Sequence, residues 1–268
     1  MAAQGSTQRM ANMPRVTLGF GAMAILAVGL SLAAALAALR EAKPGTYADA
    51  PSVAEELAER NERIQFFEQR AAADVLDVVS LNNLAFEYLQ RARETGDVGE
   101  YSRARLAAEG SLAVRPDDNF KGLLAGASVS LVQHDFSGAL AVADKAALLK
   151  PRDAAVHGLR SDALVGLGRY EEASRTLQTA LETDAALPTL SRLAHLAFIQ
   201  GNLVNAEDFW RQAISRGQGL PRENIAWAQV QLGRLYFARG DLAHAAQEYR
   251  KAQQTIRITS KRWRRSRV

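Results

Sequence analysis

The sequence predicts an all-α solenoid, built by stacking helical repeats, with one transmembrane helix before it. A pattern of Gly-x-(aromatic or Leu)-x-x-Ala recurs about every 34 residues, a period typical of stacked repeats; in the copy that ends at Ala139, His134 replaces the glycine. The chain is rich in Ala and Leu and contains 48% hydrophobic residues, which favours helix over sheet. A run of 24 residues near the N-terminus carries no charge. The alanines that close the repeated pattern are Ala139, Ala173, Ala206 and Ala245.

The N-terminal elements are a tail, a span and a linker. Residues 1–15 form a short basic tail, and the uncharged run from Val16 to Leu39 is long enough to cross a bilayer as a helix. Two alternatives stay open for residues 16–39: a signal peptide cleaved near Ala37, and a buried helix of a soluble protein. Residues 40–52 contain two prolines and a glycine, which is typical of a linker. The basic tail slightly favours a single-pass protein of the cell membrane whose repeats are extracytoplasmic.

Residues 53–74 predict an amphipathic helix ahead of the complete repeats. Ser52 is a suitable N-cap with Glu55 as its capping-box partner, and Phe67 belongs to one apolar stripe. We interpret this helix as half of a repeat that packs on the solenoid. The alternative is a short dimeric coiled coil beside the membrane. It offers only about two heptads, and Arg60 occupies one of their core positions, which argues against it.

The repeated pattern resembles the tetratricopeptide repeat, a helix–turn–helix unit. The last copy is the most complete, with Leu232, Gly233 and Tyr236 on its first helix and Ala245 and Ala252 on its second. The resemblance implies a right-handed superhelical solenoid over residues 53–255, with a concave groove that binds a protein or peptide. After the half repeat, the complete repeats are expected at residues 75–116, 120–151, 154–185, 187–216 and 225–255.

Residue size predicts how the helices of each repeat pack. Small residues at the repeated alanine and glycine positions let two helices approach closely, and large side chains fill the remaining gaps. The segment from Arg91 to Gly99 is expected to lengthen the turn of the first repeat. The large side chains assigned to these gaps are Tyr88, Tyr170, Trp210 and Tyr249.

The positive charge of the chain lies in its tails. The formal net charge is +4. Residues 256–268 form a basic C-terminal tail with six basic residues and no acid, and the N-terminal tail adds Arg9 and Arg15, so the remainder is mildly acidic. A nucleic-acid partner is therefore not expected. The chain has no cysteine, which excludes disulfides and thiolate metal sites.

No residue pattern of an enzyme is present. The four histidines, at positions 134, 157, 195 and 244, lack the i, i+3 or i+4 spacing of a metal site on a helix. Phosphate-binding loops, nucleophile elbows and zinc-protease motifs are also missing from the sequence. We therefore predict no catalytic activity, no cofactor, no bound metal and no small-molecule substrate.

The predicted function is that of a membrane-anchored scaffold that binds another protein or a peptide. First-helix side chains facing the groove are the candidate contacts, and their positive bias suits a ligand with carboxylates. Two alternatives stay open: a structural subunit or assembly factor of a membrane or envelope complex, and a fragment of a longer repeat protein. The candidate groove residues are Asn82, Asn83, Phe86, Gln90, Lys121, Ser128, Asp162, Arg192, His195, Gln231 and Arg234.

Overall fold

The computed structural model describes residues 52–257, and this part of the chain contains eleven α-helices and no β-strand. The prediction of an all-α solenoid is confirmed. The helices are α1 (Val53–Ala73), α2 (Val78–Thr95), α3 (Gly99–Val114), α4 (Phe120–Val132), α5 (Phe136–Leu149), α6 (Ala154–Gly166), α7 (Tyr170–Thr183), α8 (Leu187–Ile199), α9 (Leu203–Ser215), α10 (Arg222–Ala238) and α11 (Leu242–Arg257). The first helices of the five complete helix pairs are α2, α4, α6, α8 and α10.

The turns inside the repeats follow from local chemistry. Gly168, Gly201 and Gly240 have φ angles of 74°, 77° and 76°, the left-handed conformation that ends a helix at no steric cost to glycine. His134 occupies the equivalent place in the second repeat with φ 60°, where its Cβ makes the same conformation less favourable. Asp135 follows directly and caps α5 through its side chain. A few residues of local sequence thus determine where the turn of each helix pair lies.

The helices stack so that the first helices share one face. Each helix packs against the next one in the chain, and α2, α4, α6 and α8 also contact each other in succession. The array curves toward this shared face until its ends touch, since the backbone N–H of Arg222 in α10 donates to Glu56 Oε2 in α1 at 2.9 Å. The face formed by the first helices is therefore the concave face.

Small residues lie where the helices come closest. Ala139, Ala173 and Ala206 are completely buried. A Cβ added at Gly233 would lie 2.5 Å from the ring of Tyr249, so this contact between α10 and α11 requires glycine. One assignment was wrong: Tyr170 does not fill an internal gap but is 36% exposed at the start of α7.

The N-terminal helix belongs to the same stack. Ile64 of α1 is buried in one hydrophobic cluster with Leu84 and Tyr88 of α2. The turn of the first repeat is not lengthened as we expected, because α2 continues to Thr95 before Gly96 ends it with φ 74°. The extra residues extend a helix that starts beside α1, which gives α2 a longer surface toward the concave face.

The predicted membrane-spanning run lies outside the described residues. The tail, the span at residues 16–39, most of the linker and the C-terminal tail from residue 258 onward are not covered. Between residues 52 and 257, no helix has the length and apolar character needed to cross a membrane. The predicted tail, span and linker at the N-terminus and the predicted basic tail at the C-terminus accordingly stay predictions.

Candidate partner-binding site

A cavity of about 520 Å³ lies on the concave face. Every first helix contributes at least one residue to its lining, and Arg60 of α1 reaches it as well. Its apolar wall comes mainly from α2, α4 and α6, which contribute leucines, one valine and one aromatic residue. These apolar lining residues are Phe86, Leu89, Leu131, Val132 and Leu159, with Pro221 at the start of α10.

A buried ion-pair network lies beside this wall. Arg60 is only 6% exposed, and its Nε and Nη2 lie 2.8 Å and 2.9 Å from the two carboxylate oxygens of Glu94. A further guanidinium nitrogen of Arg60 binds Glu87, which also accepts from Arg63 Nε at 2.6 Å. The bidentate geometry offsets part of the cost of burying these charges. The network fixes α1 against α2 and presents Arg60 and Glu87 to the cavity.

A second ion pair connects α6 and α8 across the cavity lining. Arg192 Nε lies 2.8 Å from Asp162 Oδ2, and both side chains are partly exposed. The guanidinium lies against Gly158, where an added Cβ would be 2.9 Å from Arg192 Cζ. Since Asp162 balances Arg192, the positive bias predicted for the groove is smaller than the sequence suggested.

His195, Gln231 and Arg234 continue the concave face beyond this pair. Arg234 is exposed, and its Nη1 donates to Gln231 Oε1 at 3.2 Å. His195 is exposed in part, yet partial desolvation of its ring by the surrounding protein lowers its pKa. Asp162 raises this pKa and Arg234 lowers it further, so both charges act on the ring. The structure thus brings together the predicted residues of α6, α8 and α10.

The remaining predicted residues are divided between the cavity and the helix contacts. Phe86, Gln90 and Ser128 line the cavity. Asn83 donates to a carbonyl of its own helix, and Lys121 is exposed in the first turn of α4 and is not among the lining residues.

The structure corrects the prediction for Asn82, which lies inside the stack and not on the surface of the groove. It is 5% exposed, donates to Asn119 Oδ1 at 2.8 Å and accepts from Ser111 Oγ at 2.6 Å. It joins α2 to α3 and α4, and its amide is used within the stack instead of facing a partner. Asn82 was predicted from its helical register alone, and register does not show which polar residues find partners in neighbouring helices.

Several residues of the cavity were not predicted from the sequence. Arg93, Glu87 and Asn224 line it, although none was a candidate. The one available signal was Arg60, whose place on the apolar stripe of its helix indicated a buried charge that needs acidic partners. Within residues 52–257, no group of three or more His, Asp or Glu side chains is arranged to hold a metal ion.

Comparison with known proteins supports the class of fold. Two family models, each described as tetratricopeptide repeat, match residues 131–196 and residues 184–256. Tetratricopeptide repeats are therefore confirmed in this part of the chain. No curated protein matches the sequence.

Several solved structures share the fold at low sequence identity. One chain of the APC/C hetero-tetramer Cut9–Hcn1 has a TM-score of 0.61 at 16% identity, over 74% of this chain and 37% of its own length. The tetratricopeptide repeat protein TTC0263 of Thermus thermophilus has a TM-score of 0.55 at 21% identity, over 64% of this chain and 91% of its own. PilW, a type IV pilus biogenesis factor, has a TM-score of 0.52 at 16% identity, over 77% and 90%. At these identities the likeness concerns the fold alone.

Proposed function

We propose that this protein is a non-enzymatic scaffold that binds a segment of another protein in its concave cavity. Tetratricopeptide repeats are protein-interaction modules, and stacked repeats offer an extended concave surface for this purpose. The observation that carries the proposal is the cavity itself, which takes residues from every first helix and combines an apolar wall with charged side chains. Such a combination is typical of sites that anchor an apolar side chain and orient it through a few polar groups.

The charged groups favour a partner segment that carries a carboxylate. Arg234 is exposed on the concave face, and Arg192 is held by a partly exposed ion pair with Asp162 and by a hydrogen bond to the carbonyl oxygen of Pro188. Exposed ion pairs contribute little to stability, so a carboxylate of the partner can compete with Asp162. Arginine binds carboxylates through two parallel hydrogen bonds, which adds directional specificity. Phe86 offers the neighbouring apolar contact.

Substitution of both arginines by alanine tests this site. We expect Arg192→Ala combined with Arg234→Ala to reduce capture of partner proteins by the full-length chain about tenfold or more, because charge-assisted hydrogen bonds each contribute about 1.5–3 kcal/mol. Capture is quantified from detergent-solubilised cells by mass spectrometry, with the helical circular dichroism signal as the check on folding.

The matched control removes two arginines from second helices. Arg175→Ala combined with Arg250→Ala takes the same charge from exposed positions on α7 and α11. We expect this variant to capture the same partners as the wild type. If the two double variants behave alike, the concave site does not select the partner, and a structural subunit becomes the better account.

We further propose that residues 16–39 anchor the scaffold in a membrane, with the repeats on the extracytoplasmic side. The support is the uncharged run in the sequence and the basic residues before it. After cell fractionation, full-length protein should stay in the membrane pellet when it is washed with alkaline carbonate. Its release into the supernatant would contradict the anchor, and a product shorter by about 37 residues would indicate a cleaved signal peptide instead.

A further inference from the structure

The two ends of the described array meet across the concave face. Glu223 Oε2 of α10 accepts from Gln90 Nε2 of α2 at 3.2 Å and lies 3.5 Å from Arg93 Nε. Beside it, Glu56 of α1 accepts from the backbone N–H of Arg222, and the side chains of Glu56 and Arg222 lie 3.9 Å apart. We call these five residues the clasp. The clasp joins the last helix pair to the first two helices over a sequence separation of up to 166 residues.

The clasp consists of charged and polar groups, and part of it is buried, since Arg222 is 3% exposed and Gln90 is 7% exposed. The N-cap of α10 is Pro221, which provides no side-chain hydrogen bond, so Glu56 satisfies an N–H group of another helix. A carboxylate at this place also interacts favourably with the N-terminal end of the α10 dipole. Arg93 is 47% exposed, so water and salt reach its ion pair with Glu223. Salt can therefore weaken this outer ion pair, whereas the buried pair of Glu56 and Arg222, whose side chains are 13% and 3% exposed, costs more to separate.

The clasp lies directly beside the cavity. Gln90 and Arg93 belong both to the clasp and to the cavity lining, and Pro221 and Asn224 flank the two clasp residues of α10. The cavity of about 520 Å³ falls within the range of volumes for ligand sites, about 300–1,000 Å³, and it is open to solvent. A longer polypeptide segment needs a groove that is open along its length. Because the clasp bridges the concave face from α10 to α1 and α2, an extended segment that follows this face meets the bridge.

We propose that the clasp is a gate across the concave face, and that an extended partner segment binds there after the clasp has opened. The second half of this statement rests on the function proposed above, whereas the first half does not. Opening separates α10 from α1 and α2 and leaves the helix pairs intact, because neighbouring pairs are joined by contacts that do not include the clasp. A partner carboxylate can then take the place of Glu223 on Arg93 and Gln90.

The gate is tested by a distance measurement between spin labels. The chain has no native cysteine, so Glu59→Cys on α1 and Gln218→Cys before α10 are labelled selectively; both positions are exposed. Pulsed electron paramagnetic resonance on the full-length chain should give a short, narrow distance distribution at low salt. We expect Glu223→Lys to make a longer distance the major population, because Lys is repelled by Arg93. Salt at about 1 M, where the Debye length is about 3 Å, should shift the wild type in the same direction.

A charge swap shows whether a longer distance results from loss of the ion pair between Arg93 and Glu223 or from a nonspecific loosening of the helix stack. Adding Arg93→Glu to Glu223→Lys restores the ion pair with its signs exchanged, and the short distance should return. Glu109→Lys, on the exposed surface of α3, should leave the distance unchanged. An unchanged distance in Glu223→Lys and at high salt would overturn the gate, as would a failure of the charge swap to restore it.

Partner entry is tested separately with the same two cysteines. Joining them with a short bismaleimide holds the clasp closed, and capture of partners should then fall to the level of the Arg192→Ala and Arg234→Ala variant. The single-cysteine variants treated with the same reagent serve as controls and should retain capture. If the cross-linked protein captures as well as these controls, the clasp does not gate the cavity, while the proposed function stands on its own test.

Discussion

Replacement of Arg60 by methionine is expected to lower the free energy of unfolding by about 3–5 kcal/mol. Arg60 is buried and binds both oxygens of Glu94, whose side chain is only 2% exposed, and it also binds Glu87. Without the guanidinium, a carboxylate remains in a place that water hardly reaches. The loss is measured from the midpoint and slope of urea unfolding followed by circular dichroism.

Two further variants show whether the buried charge is the cause. Arg105→Met removes an exposed pair with Glu109 four residues along α3, and it should cost about 0.3–0.5 kcal/mol. Combining Arg60→Met with Glu94→Gln removes the uncompensated carboxylate and should recover part of the lost stability. A cost below about 1 kcal/mol for Arg60→Met would mean that α1 does not depend on this network.

Truncation of Phe209 to alanine should also lower the free energy of unfolding by about 3–5 kcal/mol. Phe209 lies on α9 and is 2% exposed, the largest of the fully buried side chains in the described residues. Its removal leaves a cavity that a stack of short helices cannot fill by local collapse. Urea unfolding of the full-length chain gives the size of the effect.

The matched control is the same change at an exposed phenylalanine. Phe237 on α10 is 62% exposed, so Phe237→Ala should alter the free energy of unfolding by no more than about 0.5 kcal/mol. Equal costs for the two variants would contradict the packing of α9 between its neighbours.

The sequence was sufficient to predict the helix pairs because each is determined by local chemistry. Each repeat carries a few characteristic residues close together in the sequence. In the fourth repeat these are the turn glycine Gly201, the alanine Ala206 five residues later and the bulky Trp210. These residues act on their own pair, so a repeated pattern is enough to find them. The turn of the first repeat was misjudged because helix-forming residues between Arg91 and Thr95 simply continue α2.

The concave site was only partly predictable because it depends on long-range geometry. Register placed Phe86, Ser128 and Asp162 on the inner face, where the structure also has them. Register could not indicate that Asn82 forms hydrogen bonds with Ser111 and Asn119, which lie 29 and 37 residues further along the chain. The clasp depends on the curvature summed over all helix pairs, since small rotations per repeat decide whether the two ends meet.

The central claim, that the concave cavity holds a partner segment, is tested most directly by site-specific photo-cross-linking. A photoreactive phenylalanine analogue replaces Phe86, which lines the cavity, or Leu148, which is 85% exposed on the second helix α5. After irradiation of intact cells that express the full-length chain, the analogue at residue 86 should yield a discrete covalent adduct with another polypeptide. The adduct should be absent when Arg192 and Arg234 are alanine. Adducts formed only from residue 148 would contradict the claim, whereas a residue 86 adduct that persists in the arginine variant would contradict the role of the two arginines.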